Sequence, residues 1–279
     1  MPSSGTRRTR EGKERIKEHL PQRVTIFGVG LIGGSLALAL KRAFPEIQIT
    51  GVDRPDVVER ARRLRILDSG SAPNQSSDLA VLATPIGDIL KLLDQSAENH
   101  KLVLDVGSTK VAICRKAERL GVPFIGGHPM AGLELSGPEA ANADLFCDAP
   151  FFFCPVKSTP PGAAEQAQAL AKAVHAIPHM ISPEEHDRLV AQISHLPQVI
   201  STLLADQTAA HKELAGPGLR SMTRLAGSSF HIWRDIFKTS GSLPQEIQIF
   251  IERLQRIVDS IEGGNFEEIE ALFKRGGSV

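Results

Sequence analysis

The stretch Val24-Thr25-Ile26-Phe27-Gly28-Val29-Gly30-Leu31-Ile32-Gly33-Gly34-Ser35-Leu36-Ala37-Leu38-Ala39-Leu40 decides the architecture. Its first four residues are a short run rich in β-formers, and its last six favour a helix. Glycines stand between them, so the segment reads as strand, glycine turn and helix. Gly28, Gly30 and Gly33 form G-x-G-x-x-G. Three glycines at that spacing carry little weight alone, but between a strand and a helix each has a task. Gly28 permits the tight turn, Gly30 lets the backbone approach a pyrophosphate, and Gly33 lets the helix lie on the strand. The N–H groups around Leu31 and Ile32, with the positive end of the helix dipole, then face the phosphates.

Asp53 stands 20 residues after Gly33, at the end of a second apolar run over residues 47–52. A carboxylate there accepts bonds from the adenosine ribose hydroxyls and repels a 2′-phosphate, which favours NAD. Arg54 beside it can hold such a phosphate, so NADP stays open.

Further short apolar runs follow at residues 79–83, 102–106, 124–126, 151–154 and 178–181, with helical segments at 57–64, 86–97, 110–120 and 163–173. Strands alternating with helices imply an α/β fold, a Rossmann-type and mostly parallel sheet with helices on both faces. After residue 182 the strands stop. Ser182-Pro183-Glu184-Glu185 is a capping box with proline at the first helical position, which starts a helix. The rest reads as helices broken at residues 216–218, 241–244 and 263–264. The expected organisation is a flexible basic leader over residues 1–22, a dinucleotide-binding domain over 23–182 and an all-helical domain over 183–279. The leader is expected to turn helical near residues 11–19.

Composition bounds the partners. The chain has 279 residues, 42% hydrophobic and 23% charged, with 32 basic and 32 acidic side chains. That balance points away from nucleic acid and anionic membranes, and no apolar run approaches the roughly 20 residues that span a bilayer. The leader has no apolar core of a secretory signal. Cys114, Cys147 and Cys154 lack metal-ligand spacing and read as free thiols in a reducing cytoplasm, and no metal site is expected.

Three more segments close predicted strands, where an open α/β sheet binds its ligand: Thr84-Pro85, the run Asp105-Val106-Gly107-Ser108-Thr109-Lys110, and Gly126-Gly127-His128-Pro129-Met130-Ala131-Gly132. The loop Gly28 to Ser35, the runs Asp105 to Lys110 and Gly127 to Gly137, and Ser194-His195-Leu196-Pro197 occur in an order and spacing that resemble the prephenate and arogenate dehydrogenases. The resemblance spans nearly the whole chain, from about residue 23 to about 260.

The resemblance implies oxidative decarboxylation of a cyclohexadienol, prephenate or arogenate, with hydride transfer to NAD on the route to tyrosine. By position His128, expected in a loop fixed by flanking glycines and Pro129, is the base that takes the 4-hydroxyl proton, and histidine titrates in the right range. Ser108 hydrogen-bonds the hydroxyl and the base, and it could also cap a helix beginning at Thr109. His195, in a helix just before Pro197, which should kink it, helps bind substrate. Arg224 pairs with a substrate carboxylate, with Arg220 as its rival because the run before it departs from the family's pattern. Glu134 has a gating or water-ordering role. Thr84, Pro85 and Ser108 line the cofactor.

Family members pair through the helical domain, so a homodimer is implied. Ile247, Phe250, Ile251, Leu254, Ile257, Val258 and Ile261 follow helical spacing and are either core or dimer seam. No added regulatory domain and no fused mutase are expected. Two other readings stand beside this one. The first is a two-domain dehydrogenase acting on a 3-hydroxy acid or an imine, for which Lys212 would be the catalytic lysine. The second is a non-catalytic nucleotide-sensing protein that keeps the fold.

Overall fold

The computed structural model describes residues 14, 16–70, 75–96, 99–133 and 135–277. It divides into two compact units. One holds the residues up to Asp187 together with Gly227–Thr239, and the other holds Arg188–Ala226 and the residues from Ser240.

The first unit is built on an eight-stranded sheet. Its strands are β1 Arg23–Phe27, β2 Gln48–Val52, β3 Ser69–Gly70, β4 Ser77–Leu82, β5 His100–Asp105, β6 Phe124–Pro129, β7 Pro150–Pro155 and β8 Ile177–Met180. They lie in the order β3-β2-β1-β4-β5-β6-β7-β8. All pairings are parallel except β6 with β7. The chain runs outward from β1 in both directions, so the order reverses between β1 and β4. An open α/β sheet has its ligand crevice at that place, beyond the carboxyl ends of the strands.

The strands are apolar on both faces because both faces are covered. Val24, Ile26, Leu79, Val81, Leu102 and Leu104 point into one core. There they meet Leu36, Ala37 and Leu40 of α1 (Leu31–Ala43) and Ala167, Leu170 and Ala171 of α5 (Ala163–Ala173). The alternate residues Phe27, Ala80, Leu82 and Val103 enter the other core. That core is closed by Ile86, Ile89 and Leu93 of α3 (Ile86–Ser96) and by Ile113, Cys114 and Ala117 of α4 (Val111–Leu120). Helix α2 (Pro55–Arg63) lies between β2 and β3 in the chain.

Helix α6 (Pro183–Val190) opens with the expected capping box: the Ser182 hydroxyl donates to Glu185 Oε2 at 2.6 Å, and Glu185 N–H donates back to Ser182 Oγ at 3.3 Å. Of the leader, residues 14 and 16–19 are helical, and its remaining residues before Lys17 lie outside the described residues.

Three local expectations need correction. The strand expected over 124–126 continues to Pro129, so His128 sits on a strand and not in a loop. The helix expected from Thr109 or Lys110 begins at Val111 with Lys110 at its N-cap, so Ser108 does not cap it. The short strand β3 adds an edge that the apolar pattern did not announce.

The second unit is helical. A π turn, Ala191–His195, runs into α7 (Leu196–Gln207). Pro197 has no N–H to offer and cannot continue a regular ladder, and the wider turn absorbs the missing bond. Then come α8 (Pro217–Met222), a 3-10 turn Arg224–Gly227, α10 (Leu243–Glu262) and α11 (Phe266–Gly276), while α9 (Phe230–Thr239) belongs with the sheet unit. No helix among the described residues is long and apolar enough to cross a membrane.

Candidate active site

The site of the sheet unit is assembled from one end of the sheet. Gly28 follows β1, Asp53 follows β2, Thr84 follows β4, Ser108 follows β5, and His128 lies at the carboxyl end of β6. The parallel register brings all five to the same edge.

The glycine turn is packed against the end of β4. Gly28 has φ +92°, and a Cβ there would stand 2.5 Å from the Ala83 carbonyl oxygen. A Cβ on Gly33 would stand 2.1 Å from the Gly28 oxygen, so the helix could not lie on the strand. Gly30 is different: nothing lies within 4 Å of where its Cβ would be. It is the N-cap of α1, no side chain caps that helix, and its first turn carries no acid. The first-turn N–H groups of Leu31, Ile32 and Gly33 therefore have no intrahelical acceptor and suit an anion. Thr84 Oγ1 is buried without a hydrogen-bond partner among the described residues.

Asp53 is locked to the loop. Its Oδ2 accepts from Val29 N–H at 2.8 Å and its Oδ1 from Arg54 N–H at 2.7 Å. The Arg54 side chain is exposed and turned towards Asp56 at 3.6 Å. An open backbone cradle, an unmatched buried hydroxyl and an anchored carboxylate fit a dinucleotide.

His128 is buried, and its Nδ1 lies 2.9 Å from Nε2 of His186 on α6. His186 Nδ1 lies 2.8 Å from Asp187 Oδ1. Asp187 in turn accepts from the backbone N–H groups of Lys110 (2.6 Å) and Val111 (3.0 Å), and so supplies the cap of α4 that Ser108 does not. Burial holds the His186 imidazole below the ordinary histidine range, against the pull of Asp187.

A second buried pair ties β5 to β6 one residue before the histidine. Lys110 Nζ donates to Asp105 Oδ2 and, at 2.7 Å, to the Gly127 carbonyl; Asp105 accepts from Gly107 and Gly127 N–H. Burial pushes the Asp105 carboxyl up, and the Lys110 ammonium opposes it. The nearby thiols of Cys114 and Cys154 are raised by burial, that of Cys154 to about 12, so neither is a thiolate near neutrality. Cys114 and Cys154 are buried, Cys147 is exposed, and all three are free. Sequence reasoning assigned no role to Asp105, Lys110, His186 or Asp187.

Ser108 is half-buried in the loop between β5 and α4. The first helical turn after Pro85 is capped from α9: Asp235 Oδ2 accepts from Gly87 N–H at 2.9 Å.

His195 and Arg224 belong to the helical unit. His195 ends the π turn, is buried, and lies 3.0 Å through Nδ1 from Ser240 Oγ. Gln198 Nε2 donates to the Leu225 carbonyl at 2.7 Å, tying α7 to the turn that begins at Arg224. Arg220 Nε donates to the Ala215 carbonyl at 3.1 Å, and both arginines are exposed, Arg224 at the head of the 3-10 turn. Glu134 lies outside the described residues.

Comparison with known proteins covers both halves. Residues 36–178 match the nucleotide-binding domain of prephenate dehydrogenase, and residues 182–275 match its dimerization domain. The chain is 34% identical to a prephenate dehydrogenase of Lactococcus lactis subsp. cremoris, over 92% of this chain and 76% of that protein. Its fold is similar to the crystal structure of prephenate dehydrogenase from A. aeolicus in complex with hydroxyphenyl propionate and NAD+ (TM-score 0.86, 28% identity, 92% of this chain and 96% of that one). It is also similar to Synechocystis arogenate dehydrogenase (TM-score 0.79, 27% identity, 92% and 98%).

Proposed function

The chain belongs to the prephenate dehydrogenase family, and on that premise we propose that His128 is the base of its NAD-dependent oxidative decarboxylation of a cyclohexadienol. The observation that carries the assignment is His128 itself, at the carboxyl end of β6 on the sheet edge that bears the dinucleotide cradle. Family membership sets aside the 3-hydroxy acid, imine and nucleotide-sensing readings. The same membership makes the enzyme an oxidoreductase of tyrosine biosynthesis.

The Gly28–Gly33 turn, Asp53, Thr84 and Pro85 would hold NAD, which would supply the hydride acceptor. The residues of the chain do the rest. His128 takes the proton of the 4-hydroxyl as the C–H bond breaks, so the oxygen's electron pair forms the carbonyl. Loss of the ring carboxylate as carbon dioxide then restores aromaticity. Ser108 orients the hydroxyl. Arg224 pairs with a substrate carboxylate, a planar anion that its guanidinium fork fits. Arg220 is its rival for that carboxylate. His195 binds the substrate side chain, and Glu134 orders water or gates entry. Residues 23–182 serve as the dinucleotide domain and 183–279 as the substrate and dimer domain, after a leader over 1–22.

We place the enzyme in the cytoplasm as a homodimer. Ile251, Leu254, Val258 and Ile261 of α10 and Phe266 and Phe273 at the two ends of α11 are exposed. A face that apolar on a single chain supports the dimer.

Initial rates with prephenate and arogenate, each with NAD and NADP, test the reading. NADH formation with at least one substrate is expected, and cofactor binding without turnover of either would overturn it. NAD should be preferred, because the Asp53 carboxylate repels a 2′-phosphate. Two like charges about 4 Å apart repel by about 1 kcal/mol in bulk water and by more at a protein surface, where the exposed Asp53 stands. Asp53→Ser should therefore narrow the ratio of kcat/KM values by about tenfold or more. A wild-type enzyme that works better with NADP would show that Arg54 decides the choice.

A further inference from the structure

We propose that His186, oriented by Asp187, is a positioning residue that fixes the tautomer of His128 and so makes Nε2 the basic nitrogen. The inference rests on the reading of His128 as base and adds the device that prepares it.

The argument is one of donors and acceptors. A carboxylate only accepts. Asp187 Oδ1, 2.8 Å from His186 Nδ1, therefore accepts a hydrogen bond from a proton that stays on Nδ1. A neutral imidazole has one donor and one acceptor nitrogen, so His186 Nε2 is left as acceptor. That nitrogen faces His128 Nδ1 at 2.9 Å, and two acceptors cannot share a bond. His128 must place its own proton on Nδ1, and its Nε2 then carries the lone pair. Two rings transmit one choice made at Asp187. Burial keeps His186 neutral, as the transmission requires.

The chain of contacts is held at each link. Asp187 cannot swing, because both oxygens cap the first N–H groups of α4. His186 is fully buried, and its ring stands at 78° to that of Phe152, 5.5 Å away. Phe152 is the cross-strand partner of His128 on β7, so one strand pair fixes both rings. The two imidazoles are inclined at 70° with centroids 5.1 Å apart. The other charged groups acting on His186 are Lys110 and Asp105, which bind each other. This arrangement has the logic of a catalytic triad, in which a buried carboxylate selects the tautomer of a basic histidine, with one ring added between them.

The test reads the tautomer apart from turnover. In protein labelled with 15N-histidine and saturated with NAD, His128 should show a protonated Nδ1 and an unprotonated Nε2. His186→Leu removes the acceptor, so the His128 proton should populate Nε2. The kcat should fall by roughly 10- to 10²-fold with KM nearly unchanged. His186→Gln offers an amide oxygen near the old Nε2 and should restore most of kcat and the Nδ1–H tautomer. Unchanged NAD affinity in both variants reports an intact fold. An unchanged tautomer in His186→Leu, or a wild-type His128 protonated at Nε2, overturns the positioning. A changed tautomer at unchanged kcat overturns His128 as base, and with it the use proposed here for the pair.

Discussion

His128→Asn should lower kcat by about 10²–10⁴-fold with little change in KM, the usual worth of a positioned general base. Asparagine keeps a hydrogen-bonding group at the same place but cannot accept the proton. Its amide can still meet His186, so the substitution leaves the α6 contact and the β6–β7 pairing in place. Binding of NAD, which uses the turn after β1 and not β6, should be unaffected. Steady-state kinetics at saturating NAD check the first statement and NAD titration the second. A variant with wild-type kcat would remove His128 from the chemistry.

Arg224→Ala should act on the other parameter. A charge-assisted bidentate contact is worth roughly 2–5 kcal/mol when desolvated. Arg224 is exposed, which places its contact near the lower end of that range. About 2 kcal/mol corresponds to about a 30-fold rise in the substrate KM. The NAD constant should stay as it is, because Arg224 is assigned to the substrate carboxylate and is no part of the dinucleotide cradle. Arg220→Ala should do much less, since the carboxylate contact is assigned to Arg224. If Arg220→Ala raises KM and Arg224→Ala does not, the two assignments are exchanged.

The sheet was legible because its strands are buried on both faces. Leu79–Leu82 and Leu102–Leu104 are apolar without interruption, and Val24–Phe27 is broken only by Thr25, a buried β-former. The glycine turn was legible because its three glycines answer three separate steric demands, two of them visible as Cβ positions that backbone already fills. The edge strand β3 was invisible: Ser69-Gly70 carries no apolar signal, and only its pairing with Thr50 and Gly51 defines it.

The reading of 126–129 failed for a different reason. Gly126, Gly127 and Pro129 lower β propensity, so the segment looked like a loop around His128. In the fold these glycines are demanded by packing. A Cβ on Gly127 would stand 2.6 Å from the Asp105 carbonyl, and one on Gly126 would stand 2.8 Å from Cys114 Sγ. Close approach of neighbouring backbone looks like a turn when only the chain is in view.

The helix cap shows the same limit at longer range. Local reasoning chose Ser108 for the helix after β5, because a serine just before a helix is a common cap. The carboxylate that does the capping is Asp187, 77 residues further along the chain from Lys110. In sequence His186-Asp187 follows two glutamates in the first turns of a helix and reads as a solvated face. Nothing local says that these two side chains are buried, and their burial is what gives them a part in the site.

The pH dependence of kcat tests the central claim most directly. The base must be neutral to accept the 4-hydroxyl proton, so the wild-type rate should rise with pH through one ionisation in the range where imidazoles titrate. In His128→Asn that ionisation should vanish from the residual activity. In His195→Asn, whose residue is assigned to binding, it should persist while KM rises. A profile lost in His195→Asn and retained in His128→Asn would contradict the account and give the two histidines each other's roles.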